Sequence, residues 1–226
     1  MKIVHPKAEI ISSKESIMEQ LRICEAAGRT CYQSQDKINK NSYVKFLRGI
    51  VKSGHLSVIE HLSISARLIC SRSCSHQIVR HRLCQFSQAS QRYVNMSNPE
   101  IILPHNPLSE GTYYLTHVGW KNKETNEVIV DVNTSNIISC IKQNFELYQT
   151  LIQDGLKKED ARCLLPNACA TEIVMTCNFR EWMHVFKERA DNKHAQEEIR
   201  ELFTGFKNKL VELVPEIGEI LQYEKD

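Results

Sequence analysis

The sequence predicts an α/β protein of the α+β type, one domain of mixed helices and sheet spanning residues 1–226. Three observations carry this expectation. Several stretches repeat apolar residues at helical spacing. Residues 62–70 alternate with the two-residue period of a half-buried strand, and residues 168–177 form an apolar run of strand length rich in Ile, Val and Met. No internal repeat, low-complexity segment or linker-like composition divides the chain.

Taken in order, residues 8–11 read as a short strand, after which Ser12 and Ser13 offer caps for a helix with Ile17, Leu21 and Cys24 on one face and Gly28 as its stop. The following Arg29-Thr30-Cys31-Tyr32-Gln33-Ser34 is polar and suited to lining a site. Tyr43, Phe46, Leu47, Ile50 and Val51 mark a second helix closed by Gly54, and residues 55–61 read as a connecting loop. Leu62, Ile64, Ala66, Leu68 and Cys70 form the buried face of a strand, and Ser71 or Ser73 then caps a short helix from Cys74 to about Arg82. On that helix Gln77 and His81, or His76 and Arg80, would share a face, with Arg80 and Arg82 about 200° apart and addressing different ligands. Pro99, Pro104, Pro107 and Gly111 break the pattern in residues 94–133, where a hairpin over 113–132 turns near 121–126. Ile137, Ile138, Ile141, Phe145, Tyr148 and Ile152 then predict a helix ending near Gly155. A charged stretch, Leu164-Leu165-Pro166 and the buried strand over 168–177 follow. Helical period returns from Asn178, and a last helix over 194–214 is stopped by Pro215.

Composition bounds the function. With 42% hydrophobic and 25% charged residues and a formal charge of +2, the chain is an ordinary globular one, and no apolar run is long enough to span a bilayer. The N-terminus lacks a signal-peptide pattern, so a cytoplasmic protein with no membrane partner is expected. Nine scattered cysteines, odd in number and without a C-x-x-C pair, suggest neither a disulfide framework nor a zinc site. The pairs His55/His61 and His76/His81 lack the spacing of a zinc helix, and no metal is expected.

The densest chemistry lies in residues 80–93, which hold three arginines, one histidine, two serines and three glutamines. From residue 61 to 99 there is no Lys, Asp or Glu, so Arg67, Arg72, Arg80, Arg82 and Arg92 are the fixed charges. Arginine grips phosphate or carboxylate bidentately, and a focused patch on a nearly neutral protein points to a small polyanion and not to nucleic acid. Near the other end, Trp182, Val185 and Phe186 form an apolar stripe whose next position is Arg189. A guanidinium there needs a partner, either a protein carboxylate such as Asp191 or a ligand. Arg180 and His184, at i and i+4, reach one surface.

Arg80-His81-Arg82, seven residues and then Ser90, continuing as Gln91-Arg92-Tyr93, resembles the signature of the flavin-dependent thymidylate synthases. Three further blocks agree: residues 27–32 with Ser34, the Glu60-His61 pair, and the run from Ala161-Arg162 through Asn178, Arg180, His184 and Arg189 to Arg200. The resemblance implies a central, mostly antiparallel sheet flanked by long helices, and conversion of dUMP to dTMP. It implies 5,10-methylenetetrahydrofolate as carbon donor and NADPH as reductant of a bound FAD, in a homotetramer with active sites between subunits. Carried over position by position, it places Gln77, Arg80, Gln88, Ser90, Arg92, Arg162 and Arg189 on dUMP. His61, Ser63, Arg80, His81, Arg82, Asn178, Arg180 and His184 fall on the flavin, and Arg189 polarises the uracil. Gln88 stands where many members have glutamate, and Glu188 where an apolar residue is common. A hydrolase using Ser90 with His81 as base lacks a nearby carboxylate in sequence to orient the histidine, and an RNA-binding module lacks an aromatic-interleaved basic platform. A flavoprotein of this fold acting on another pyrimidine nucleotide is the standing enzymatic alternative.

Overall fold

A computed structural model describes residues 2–97, 99–103, 113–115, 120–122, 128–129 and 132–221. In chain order the elements are β1 (Lys2–Ile3), β2 (Lys7–Ile10), α1 (Lys14–Cys31), α2 (Ser42–Lys52), β3 (Ser63–Ser71), α3 (Arg72–Ile78), β4 (Gln85–Gln88), β5 (Glu100–Ile101), β6 (Tyr113–Leu115), β7 (Trp120–Asn122) and β8 (Val128–Ile129). They continue as α4 (Val132–Gln153), α5 (Lys158–Ala161), β9 (Ala170–Asn178), α6 (Phe179–Val185), α7 (Glu197–Leu213) and α8 (Pro215–Leu221). The expected α+β class is present. A four-stranded sheet has the order β2-β3-β9-β4, β6, β7 and β8 form an antiparallel sheet, and β1 pairs with β5 in parallel.

The chain sorts into two compact units, each assembled from three segments. Unit 1 is Met1–Pro6, Ile69–Ile78 and Gln88–Ile173, and unit 2 is Lys7–Leu68, Val79–Ser87 and Val174–Asp226.

In unit 2, α1 begins as its sequence dictates, the Ser13 Oγ accepting from Ser16 N at 3.2 Å, and its Ile17, Leu21 and Cys24 stripe is buried. Gly28 does not stop it, contrary to the sequence expectation. The glycine lies within the helix because a Cβ there would meet the Phe46 ring at 2.7 Å and Val58 at 3.2 Å, so a bare backbone lets α2 approach. Gly28→Ala is therefore expected to cost about 1–3 kcal/mol of stability by overpacking, read as a lower urea midpoint, despite the better helix propensity of alanine. An unchanged or raised midpoint would contradict this packing. Helix α2 buries Tyr43, Leu47, Ile50 and Val51 and ends, as its sequence predicts, at Gly54 with φ +72°. The expected loop over 55–61 is instead a 3₁₀ helix, Leu56–His61, which buries Ile59.

Strand β3 alternates as predicted, with Leu62, Ile64, Ala66, Leu68 and Cys70 fully buried. Strand β9, expected as a continuously buried strand, alternates instead: Thr171, Ile173, Met175 and Cys177 are buried while Glu172 is exposed, so its apolar sequence reports one covered face and not two. Trp182 anchors α6 by donating from Nε1 to Ile64 O at 3.0 Å and packing against Phe206 at 4.6 Å between ring centroids. Helix α7 buries Ile199, Leu202, Phe203, Phe206 and Leu210. It starts at Glu197, three residues later than the sequence predicts, and Pro215 opens α8 as its first residue, where a missing N–H costs nothing.

In unit 1, Ser71 Oγ caps α3 by accepting from Cys74 N at 3.1 Å. The helix ends at Ile78, so the predicted extension to Arg82, and with it the shared faces of Gln77 with His81 and His76 with Arg80, is not formed. Residues 85–88 form strand β4. Ile138, Ile141, Phe145 and Tyr148 form the predicted buried stripe of α4, joined by Ile101, Leu103 and Cys169, while Ile137 is exposed. Gly155 follows α4 at φ +91°. The expected hairpin over 113–132 is found as three short strands, and its turn near 121–126 lies mostly outside the described residues.

Candidate active site

Unit 2 gathers one group around His81. Its ring is 6% exposed, and its Nε2 accepts from Arg189 Nε at 3.0 Å. An accepting Nε2 places the proton of the neutral ring on Nδ1, which lies 3.6 Å from Glu181 Oε1. Burial, then the charges of Arg189 and His184, push the His81 pKa down to about 4. The ring is thus a neutral acceptor at physiological pH. Glu181, also buried, has its carboxyl pushed above the usual range by burial, with His184 pulling it partly back. The His184 ring stands 5.8 Å from that of His81, edge-on, and is solvent exposed. His81, Glu181 and His184 bring ligand atoms within 4.8 Å of one another, a cluster the sequence reading of the histidines did not anticipate.

The position of Arg189 corrects the stripe argument. The segment Phe186–Asp191 is a π-helical turn, so the backbone widens and Arg189 leaves the Trp182–Phe186 line. Its protein partner is not the carboxylate the sequence offered: His81 meets it, while Asp191 binds Lys207 at 2.8 Å. Only Nε of Arg189 is committed among the described residues, leaving both terminal amino groups without a protein acceptor there.

Around this core Asn178 caps α6, its Oδ1 accepting from Glu181 N at 2.9 Å. Arg180 pairs with Glu60 at 2.6 Å, both partners largely exposed, a contact worth little in water. Ser63 donates from its backbone N–H to Gln20 Oε1 at 2.9 Å and from its hydroxyl to Cys177 O at 3.5 Å. His61, Arg80 and Arg82 are exposed, and neither arginine has an ion-pair partner among the described residues.

Unit 1 gathers a second group. Gln88 Nε2 donates to Ser75 Oγ at 2.9 Å and to Thr171 Oγ1 at 3.2 Å, which orients the amide and leaves its carbonyl to accept. A glutamate would reverse both donors, so Ser75 and Thr171 suit the amide found here. Ser90 Oγ accepts from Arg92 N at 3.3 Å and lines a cavity of about 220 Å³ with Gln91, Asn95, Thr171 and Glu172. Arg92 is neutralised by Glu159 Oε2 at 3.1 Å from Nη2, and Arg162 Nε donates to Glu159 O at 3.0 Å. Arg162 lines a second cavity of about 320 Å³ with Arg72, His76 and Gln91. Gln77 is half-buried on α3. Arg72 and His76 were missed as site candidates; Arg72 belonged to the lysine-free, acid-free arginine run, a signal that located the patch without ranking its members.

The fold has relatives of known structure. The UMP/dUMP methylase PolB of Streptomyces cacaoi, solved with 5-Br dUMP, superposes with a TM-score of 0.74 at 20% identity, covering 98% of this chain and 97% of that one. The same protein with 5-Br UMP gives 0.68 at 19% identity over 99% and 97%. This α+β fold is thus one on which a nucleotide methylase is built. Sequence makes the assignment narrower: the family described as thymidylate synthase complementing protein matches residues 15–216. The flavin-dependent thymidylate synthase of Mycobacterium tuberculosis strain H37Rv is 34% identical over 199 residues, covering 86% of this chain and 77% of the relative. That of Mycobacteroides abscessus is 34% identical over 198 residues with the same coverage. The chain belongs to the flavin-dependent thymidylate synthase family, and is an enzyme of the methyltransferase class.

Proposed function

We propose that the protein methylates dUMP reductively to dTMP, taking the one-carbon unit from 5,10-methylenetetrahydrofolate and the hydride from FAD reduced by NADPH, with release of tetrahydrofolate. Both units act as one catalytic domain, in a cytoplasmic homotetramer that binds small molecules and neither nucleic acid nor membrane. Among the described residues no helix is long and apolar enough to cross a membrane. The observation that carries the reading is Arg189, a guanidinium pinned through Nε by a neutral histidine with its terminal amino groups uncommitted. Such a fixed cation suits a uracil ring acquiring negative charge.

The donors of unit 2 fit a flavin dinucleotide. Exposed Arg80, Arg82 and Arg180 are of the kind that holds a pyrophosphate, and His61, Ser63, His184 and Asn178 of the same unit supply further polar groups. FAD, when bound, supplies the hydride chemistry; the protein orients and polarises. In unit 1, Gln88, Ser90, Arg92, Arg162 and Gln77, together with Arg80 and Arg189, bind dUMP. Gln88 offers its carbonyl to an imide N–H, and Arg162 meets phosphate. Arg92 is shared with Glu159, which holds its Nε and Nη2.

No role in this proposal falls to a buried thiol. Burial pushes Cys24 up to about 12 and Cys169 up to about 11, and hydrogen bonding with Cys84 plus burial raises Cys177, so these cysteines stay protonated. The purified protein is expected to be yellow, with a flavin spectrum bleached by NADPH, and to form dTMP from dUMP when the folate is added. UMP run in parallel tests the alternative nucleotide. A colourless protein with no affinity for added FAD would overturn the reading.

A further inference from the structure

Unit 2 contains a cavity of about 710 Å³ that none of the roles above occupies. Its walls include Arg29, Tyr32, Lys37, Lys45, Phe46 and Gly49, and the cavity lining contains no carboxylate. Arg29 already has a partner. Glu25, 1% exposed, accepts from Arg29 Nε at 2.8 Å and from Ser42 Oγ at 2.8 Å, and the Arg29 guanidinium lies 4.7 Å from the Phe46 ring centroid. Glu25 therefore neutralises Arg29 and fixes the aromatic wall.

The remaining cations are uncompensated. Lys37 and Lys45 are exposed and have no ion pair among the described residues, and α2, whose N-terminal residues Asn41 and Ser42 also line the cavity, carries no acidic residue in its first turn. Tyr32, following α1, is 66% exposed. A large apolar ring presented to solvent beside two unpaired ammonium groups and a helix N-terminus describes a receptor for an aromatic group bearing several negative charges. The size is that of a ligand pocket and exceeds what a single inorganic anion fills.

We propose that this cavity docks the polyanionic tail of a co-substrate, an aromatic ring stacking on Tyr32 and Phe46 and its anionic groups meeting Lys37 and Lys45. The assignment deepens the functional reading and rests on it for the identity of the co-substrates. Two of them share this chemistry: a folate with its chain of glutamate carboxylates, and a nicotinamide dinucleotide with its additional phosphate.

The test is isothermal titration of the flavin-loaded protein with 5-formyltetrahydrofolate as mono- and triglutamate, and with NADP⁺ and NAD⁺, for wild type and the double variant Lys37→Glu/Lys45→Glu. Wild type is expected to prefer the more anionic member of one pair by about tenfold, and the variant to lose that preference. Loss confined to the folate pair assigns the cavity to the glutamate tail; loss confined to the dinucleotide pair assigns it to the phosphate. Gly49→Leu, a position where an added Cβ meets nothing within 4 Å, is the steric counterpart and should weaken the same ligand without charge reversal. Preferences unchanged in both variants, or a loss of flavin alone, overturn the proposal. Because binding is read directly, a protein that shows these preferences but forms no dTMP overturns the functional reading and leaves the cavity assignment standing.

Discussion

Arg189→Ala is expected to lower the turnover of dUMP by about 10²–10³-fold while the protein retains its flavin. The argument is geometric. Arg189 sits in a π-helical turn, its Nε is held by His81 at 3.0 Å, and its terminal amino groups have no acceptor among the described residues. A cation fixed this way is already oriented when negative charge develops on the pyrimidine, so its stabilisation does not depend on reorganisation. Arg189→Lys should recover little of the lost rate, because an ammonium cannot bond His81 through an Nε and present two further donors in one plane. Single-turnover rates, flavin absorbance per protein and urea midpoints would be measured on the same preparations. Equal loss of flavin and turnover would move Arg189 to the flavin's binding residues, and a lysine variant with wild-type rates would show that charge alone suffices.

The elements that sequence located correctly are those whose pattern is local. The Ile17, Leu21 and Cys24 stripe, the alternation through Leu62 and Cys70, and the α4 stripe each repeat a period that burial alone enforces. The errors have physical causes outside that reach. Gly28 looks like a helix stop because its use, admitting the Phe46 ring, depends on a residue 18 positions away. The short helix α3 ends at Ile78 although Val79 to Arg82 carry no breaker, and nothing in residue type marks that end. The π turn is the most consequential case. It cannot be read from a 3.6-residue period, which puts Arg189 on the apolar stripe and offers a carboxylate or a ligand, but not a histidine, as its partner. Glu181, which faces His81, was overlooked because a single acid on an amphipathic helix is unremarkable in sequence; only the fold brings it to the histidine, 100 residues away in sequence.

His81 also makes a prediction about acid sensitivity. Its pKa is about 4 in the folded protein and 6.5 ordinarily, because burial and the Arg189 and His184 charges disfavour the imidazolium. The unfolded chain therefore binds more protons between those values, and stability falls as the pH drops from about 6.5 towards 4, by on the order of 3 kcal/mol across the window. Glu181 opposes this. Its carboxyl is raised above 4.5, so it contributes stability that is complete below that value and is lost as the pH rises through its folded pKa. The two groups enter the wild-type slope with opposite signs. Urea midpoints from pH 4.5 to 7.5 should thus show a decline on acidification that is steeper in Glu181→Gln, where the opposing group is gone, and shallower or reversed in His81→Gln. The glutamine in the second variant can still accept from Arg189, so the change isolates titration from hydrogen bonding. Parallel pH profiles in all three proteins would mean that His81 does not change protonation on unfolding, and that the neutral acceptor holding Arg189 is not the source of the acid lability.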